Sequence, residues 1–120
     1  MQFSTNISAS IKKSDLIFIC VGTPTNPKSN KADLKYVYQV LMDIKKNLNK
    51  YKIIVTKSTV PVTTGDKIQQ LLTTKKNKKL FDVASNPEFL REGEAIRDFI
   101  FPDRVVVGTN SKNANNILKN

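Results

Sequence analysis

The sequence contains no histidine and only one cysteine, Cys20, in 120 residues. Those shortages exclude a Ser-His-Asp relay, a disulfide framework within the chain and most zinc sites, so no metal centre is expected. Any acid–base work falls to carboxylates, hydroxyls or lysine. Arginine is scarce too: Arg91, Arg97 and Arg104 are the only ones, and lysine supplies most of the formal charge of +10. Lysines scattered over helix faces and turns lack the planar fork that reads phosphates and base edges, which argues against nucleic acid as a partner. The one dense basic run, Lys75, Lys76, Lys78 and Lys79, sits between a helical pattern and a strand pattern and reads as a solvated connection. No stretch is apolar enough for a signal peptide or long enough to span a bilayer, so a cytoplasmic location is the expectation.

What is present suits one small layered unit or a piece of a larger one, with 39% hydrophobic residues to build a modest core. Thr5 or Asn6 is placed to cap a short helix carrying Ile7 and Ile11. Residues 15–21 form a continuous apolar run closed by Gly22-Thr23-Pro24-Thr25, the pattern of a strand buried on both faces of a parallel sheet. From Asp33 the period changes: Leu34, Val37, Leu41, Ile44 and Leu48 recur at helical spacing, with lysines off that stripe. A second buried strand is predicted at residues 52–56 and ends in Lys57-Ser58-Thr59-Val60-Pro61. Thr63 and Thr64 are placed to cap a helix through Ile68, Leu71 and Leu72, with Asp66 where the macrodipole favours negative charge. A third strand is expected at 80–84 and a fourth at 104–107. This alternation predicts an α/β fold with a mainly parallel sheet and flanking helices. Ligands of such sheets gather beyond the carboxyl ends of the strands, where the GTPT, KSTVP and SNPEF motifs should therefore meet.

Each motif has a chemical reading and a structural one. Gly22 lets a ligand approach the backbone closely, while Thr23, Ser58 and Thr59 offer hydroxyls to phosphate or ribose oxygens or to a water. The same residues also suit a turn and a strand end. No glycine-rich GxGxxG loop accompanies them. Glu88 and Glu92 are four apart, so a helical turn opened by Pro87 would set them on one face about 5–6 Å apart, where carboxylates share proton-transfer work. Ser85-Asn86-Pro87-Glu88 also spells a capping box, with Glu88 satisfying a backbone N–H. Arg91 lies between the two glutamates and suits an ion pair with either or a substrate phosphate. Arg97 with Asp98 and Asp103 with Arg104 read as surface pairs, and Tyr36, Tyr38 and Phe99 as packing residues. Cys20, inside the apolar run, reads as a small buried hydrophobe rather than a nucleophile.

Taken in order, CVGTPT, ADLKYV, VTKSTVPVTTGDKI, SNPEFLREGEAIRDF and PDRVVVG resemble the N-terminal NAD-binding domain of the UDP-glucose/GDP-mannose dehydrogenase family, the UDP-glucose 6-dehydrogenase branch above all. The resemblance implies an incomplete Rossmann-like domain over residues 1–120, with NAD as cofactor and UDP-glucose as substrate. It implies two successive oxidations of the sugar C6 alcohol to a carboxylate, through a thiohemiacetal and a thioester on an enzyme cysteine. Carried over, it gives Val21, Gly22, Thr23, Pro24, Thr25, Ser58, Thr59 and Val60 to NAD, and Thr59 also to the catalytic water. Glu88 becomes the acid–base residue of thioester hydrolysis, and Glu92 sits by the nicotinamide and the water network. Glu88, Phe89, Leu90, Arg91 and Glu92 line the substrate.

The departures from the family pattern are also informative. The first β-α-β unit, with the pyrophosphate loop and the acidic residue that reads the adenosine ribose, is expected to be missing. So are the catalytic lysine and the nucleophilic cysteine of the substrate domain. The expectation is a fragment inactive by itself, one piece of a split enzyme completed by a separately encoded remainder, or a basic binding module reusing the sheet. A half-sheet of this kind leaves a strand edge open to self-association, so the isolated chain is expected to be marginal in stability and weak for NAD.

Overall fold

The computed structural model describes residues 2–61 and 63–119. In chain order its elements are α1 (Ile7–Lys13), β1 (Leu16–Ile19), β2 (Thr25–Asn26), β3 (Lys31–Ala32), α2 (Lys35–Asn47), β4 (Lys52–Thr56), α3 (Thr64–Leu72), β5 (Phe81–Ser85), α4 (Ala95–Ile100) and α5 (Lys112–Lys119). The main sheet is three-stranded and parallel, in the order β1-β4-β5, and β2 and β3 make a separate antiparallel hairpin.

Packing follows from alternation along β4. Ile54 points into a cluster with Ile19, Val37, Leu41, Ile44, Ile68, Leu72 and Phe81, which seats α2 and α3 on one face. Ile53 and Val55 point the other way, against Ala84 and Ala114, so α5 covers the opposite face. Every residue of β4 is buried, as the apolar Ile53-Ile54-Val55 run at its middle requires of a central strand. Lys52 is the exception in kind, because its ammonium is fully buried and donates to the carbonyls of Ser14 and Lys12 at the end of α1. There it meets the negative end of the helix, while burial, with Lys50 nearby, pushes its pKa below the ordinary lysine value.

Several expectations are corrected. The strand after α1 is only Leu16–Ile19 and is not buried on both faces, because β1 is an edge strand and Leu16 and Phe18 are exposed. Cys20, just beyond it, is exposed rather than packed. Residues 104–107 form no strand: Val105 and Val106 stand in solvent, and the segment's approach to the sheet is a single antiparallel bridge between Ser85 and Gly108. Pro87 opens no helix, so Glu88 and Glu92 are not one turn apart on a helical face. The capping box is not formed either, since the Ser85 hydroxyl donates to the Gly108 carbonyl and α4 begins only at Ala95. Asn6 caps α1 through its side chain, but Thr63 precedes α3 without a side-chain capping bond. Tyr36, Tyr38 and Phe99 are exposed rather than packed. The short hairpin and α5 are additions that periodicity did not announce.

Candidate functional site

The parallel register aligns the last residues of the three main strands, with Ile19 opposite Thr56 and Thr56 opposite Ser85. The segments that follow, 20–25, 57–61 and 86–91, therefore leave the sheet at one level and on one side. Hydrogen bonds join them. Ser58 donates its hydroxyl to the Val21 carbonyl at 2.6 Å, and Thr23 donates its own to the Thr59 carbonyl at 3.1 Å. Each loop thus lends a hydroxyl to the other's backbone. On the far side the Lys57 ammonium donates to Asn86 Oδ1 at 3.2 Å, the Asn86 N–H to the Thr56 carbonyl at 2.9 Å, and Asn86 Nδ2 to the Val106 carbonyl at 2.9 Å. Ser58 and Thr23 spend their protons on this brace, which leaves their lone pairs to accept from a ligand.

Two neighbouring clefts open on the braced loops. One, of about 490 Å³, is lined by Cys20, Val21, Gly22, Thr23, Lys57, Ser58, Thr59, Glu88 and Phe99. The other, of about 660 Å³, is lined by residues of 86–91 and 98–105 together with Lys57. Lys57, Glu88 and Phe99 stand on both. Around Gly22 the space is open, since a side-chain carbon added there would meet nothing within 4 Å.

The residues singled out in the sequence divide accordingly. Val21, Gly22, Thr23, Ser58, Thr59 and Glu88 come together at the smaller cleft. Pro24 and Thr25 lead away from it: the Pro24 carbonyl accepts from the Asp33 N–H at 2.8 Å, and Thr25 begins the β2–β3 hairpin. Val60 is not on the smaller cleft's wall and instead lines a third cleft, of about 770 Å³, which Ser58 and Thr59 also border. Phe89, Leu90 and Arg91 line the cleft of about 660 Å³ with Glu88, whereas Glu92 is exposed and on the wall of neither cleft that Glu88 shares.

Arg91 pairs with neither Glu88 nor Glu92. Its Nε and Nη2 grip the two oxygens of Asp98 at 3.0 and 2.6 Å, its backbone N–H donates to the same carboxylate at 2.8 Å, and Glu94 lies 3.5 Å away. These bonds hold the Asp98 carboxyl down to about 2 and raise the Arg91 pKa further. Arg97 meets Glu94 at 3.8 Å instead of Asp98. Arg104 forms no ion pair with Asp103 among the described residues, and its guanidinium lies over the Phe89 ring, 4.7 Å from the centroid. Sequence reasoning missed the Arg91–Asp98 staple; the only signal was opposite charge seven residues apart in a glycine-containing segment.

A parallel α/β sheet whose carboxyl edge carries hydroxyl-rich loops, an open glycine backbone and a carboxylate between two clefts has the layout of a nucleotide-binding α/β domain. Residues 1–120 match the NAD-binding domain of the UDP-glucose/GDP-mannose dehydrogenase family, and the chain belongs to that family. The UDP-glucose 6-dehydrogenase TuaD of Bacillus subtilis is 46% identical over 120 residues, covering 99% of this chain and 26% of its own length. Among solved structures, a UDP-glucose dehydrogenase from the archaeon Pyrobaculum islandicum superposes with a TM-score of 0.85 at 36% identity, over 97% of this chain and 28% of that one. GDP-mannose dehydrogenase from Pseudomonas aeruginosa, solved as a ternary complex, gives 0.84 at 32% identity with the same coverage. The chain thus spans about a quarter of the length of the relatives it matches.

Proposed function

We propose that these 120 residues are the cofactor-side part of an NAD-dependent nucleotide-sugar dehydrogenase, with UDP-glucose as the sugar substrate. The observation that carries this reading is the position of Glu88 on the shared wall of two clefts. One cleft is bounded by the Val21–Thr23 and Ser58–Thr59 backbones and the other by the Phe89–Arg91 segment. A carboxylate between a cofactor and a substrate has the placement that acid–base work at a reacting carbon requires.

The residues present fit NAD in the smaller cleft. The open backbone at Gly22 admits a ligand to van der Waals distance, and hydroxyl lone pairs on Thr23, Ser58 and Thr59 suit ribose hydroxyls and an amide N–H. When bound, NAD supplies the hydride acceptor for each oxidation. Val21, Gly22, Thr23, Pro24, Thr25, Ser58, Thr59 and Val60 are assigned to it, with Pro24 and Thr25 acting through the course of the loop and Val60, which lines the third cleft instead, through the backbone that follows Thr59. Thr59, exposed at the cleft, holds a water, and Glu88 takes and returns its proton in thioester hydrolysis. Glu92, which lies on the wall of neither cleft, is assigned to the nicotinamide and the water network on the family resemblance alone. The nucleophilic cysteine and catalytic lysine are supplied by polypeptide beyond these residues, either in one longer chain or in separately made pieces.

The test is NADH production from UDP-glucose and NAD⁺ by the chain alone, then with polypeptides supplying the flanking regions of a close relative, beside a Glu88→Gln control. The expected result is no turnover alone, turnover on mixing, and a loss of about 10²-fold or more in Glu88→Gln, the scale of general acid–base catalysis. Folded pieces that mix without turnover, or Glu88→Gln at the unmodified rate, overturn the proposal.

A further inference from the structure

Three cations face the cleft of about 660 Å³ and two are already engaged. The Lys57 ammonium donates to Asn86, and the Arg91 guanidinium is held by both Asp98 oxygens and by Glu94. Arg104 has no carboxylate within ion-pair distance among the described residues, although Asp103 precedes it in sequence. Its guanidinium instead rests over the Phe89 ring, 4.7 Å from the centroid. That contact engages the π system with the cation and leaves the N–H fork free for an anionic acceptor. Phe89 directly follows Glu88 in the chain, so the free fork is anchored beside the carboxylate assigned to proton transfer.

We infer that Arg104, seated on Phe89, is the anion-reading residue of this cleft and takes a phosphate oxygen of a nucleoside diphosphate; this rests on the nucleotide-sugar reading above. A cleft of about 660 Å³ has the volume of small-molecule sites. Arg91 cannot fill this role without breaking the staple that closes residues 91–98. Lys57 offers a point charge, whereas a diphosphate matches the bidentate geometry of a guanidinium. Arg104 also acts as a positioning residue, because its stacking fixes the Phe89 ring at the start of the substrate-lining segment.

The test titrates UDP, uridine and NAD separately into the chain and into Arg104→Gln, Arg104→Lys and Phe89→Leu. Calorimetry measures the affinity and amide shifts of residues 88–92 and 104–106 locate the ligand. UDP should perturb those amides while uridine, which lacks the phosphates, binds at least about tenfold more weakly. Arg104→Gln should weaken UDP by about tenfold or more, Arg104→Lys by less, and Phe89→Leu by a few fold, with NAD affinity unchanged in all of them. UDP bound equally by Arg104→Gln and the unmodified chain overturns the inference, and so does UDP that perturbs only amides elsewhere. If Arg104→Gln does not fold, unaltered UDP affinity in both Arg104→Lys and Phe89→Leu overturns it. NAD binding without UDP binding refutes this inference alone, whereas failure to bind either ligand also counts against the cofactor-side reading.

Discussion

The reciprocal hydroxyl brace between the 20–25 and 57–61 loops has a measurable consequence for cofactor binding. Ser58→Ala removes the donor to the Val21 carbonyl at 2.6 Å, and Thr23→Val removes the donor to the Thr59 carbonyl at 3.1 Å with little change in side-chain shape. Both side chains are half-buried, so water replaces part of each lost bond and a net cost of about 1 kcal/mol per variant is expected. That corresponds to roughly a fivefold rise in local opening of the 20–25 loop. The two bonds join the same pair of loops, so the double variant should deviate from additivity by about 0.5 kcal/mol or more. Hydrogen exchange at the amides of residues 20–23 reads the opening, and NAD titration of the same variants reads the effect on the cleft. Exchange that stays at the unmodified rate in the double variant refutes the brace. A fall in NAD affinity with unchanged exchange would show that the hydroxyls touch the ligand instead of holding the loops.

Cys20 should react rapidly with a thiol reagent in the native chain and more slowly when NAD is present, because it is exposed on the wall of the proposed cofactor cleft; a slow native reaction would contradict that placement. Asp98 has a folded-state pKa of about 2 against an ordinary 3.8, so its contribution is complete above the unfolded value and disappears as pH falls through the folded one. The protected Arg91 Nε–H signal should accordingly persist at about pH 4 and fade as the pH falls through about 2, and a signal already half lost near pH 4 would contradict the bidentate pair. Ile54→Ala, at the fully buried centre of β4, should cost about 2–5 kcal/mol in urea unfolding, and a loss below about 1 kcal/mol would mean that the α2–α3 face is not packed as described.

Elements with one strong periodic signal were legible in advance. The observed β4 has the predicted bounds, because a continuous apolar run between polar ends suits only a strand covered on both faces. The core positions Val37, Leu41 and Ile44 of α2 follow from spacing alone. The meeting of GTPT, KSTVP and SNPEF followed from topology, since parallel strands deliver the segments after them to one edge. The 85–108 stretch was less legible because several local rules compete in it. Pro87 and the Glu88–Glu92 spacing favour a helical turn, but the Asp98 carboxylate captures both the backbone and the side chain of Arg91 and holds the segment in another path. Val105-Val106-Val107 has strand composition, yet a strand needs a partner along its length, and only Ser85 and Gly108 pair.

By itself the sequence determined the α/β class, the hydrophobic stripe of α2, the central strand, the lack of any histidine side chain in these 120 residues and the motif series that identifies the family. These depend on local composition, period and order, which need no knowledge of distant contacts. Tertiary structure alone decided that β1 lies at the sheet edge, that Cys20 is therefore exposed, that Arg91 turns to Asp98, and that Glu88 stands between two clefts while Glu92 does not. Burial and side-chain partnership depend on which segments pack together, and residues far apart in the chain supply the neighbours that settle each competition.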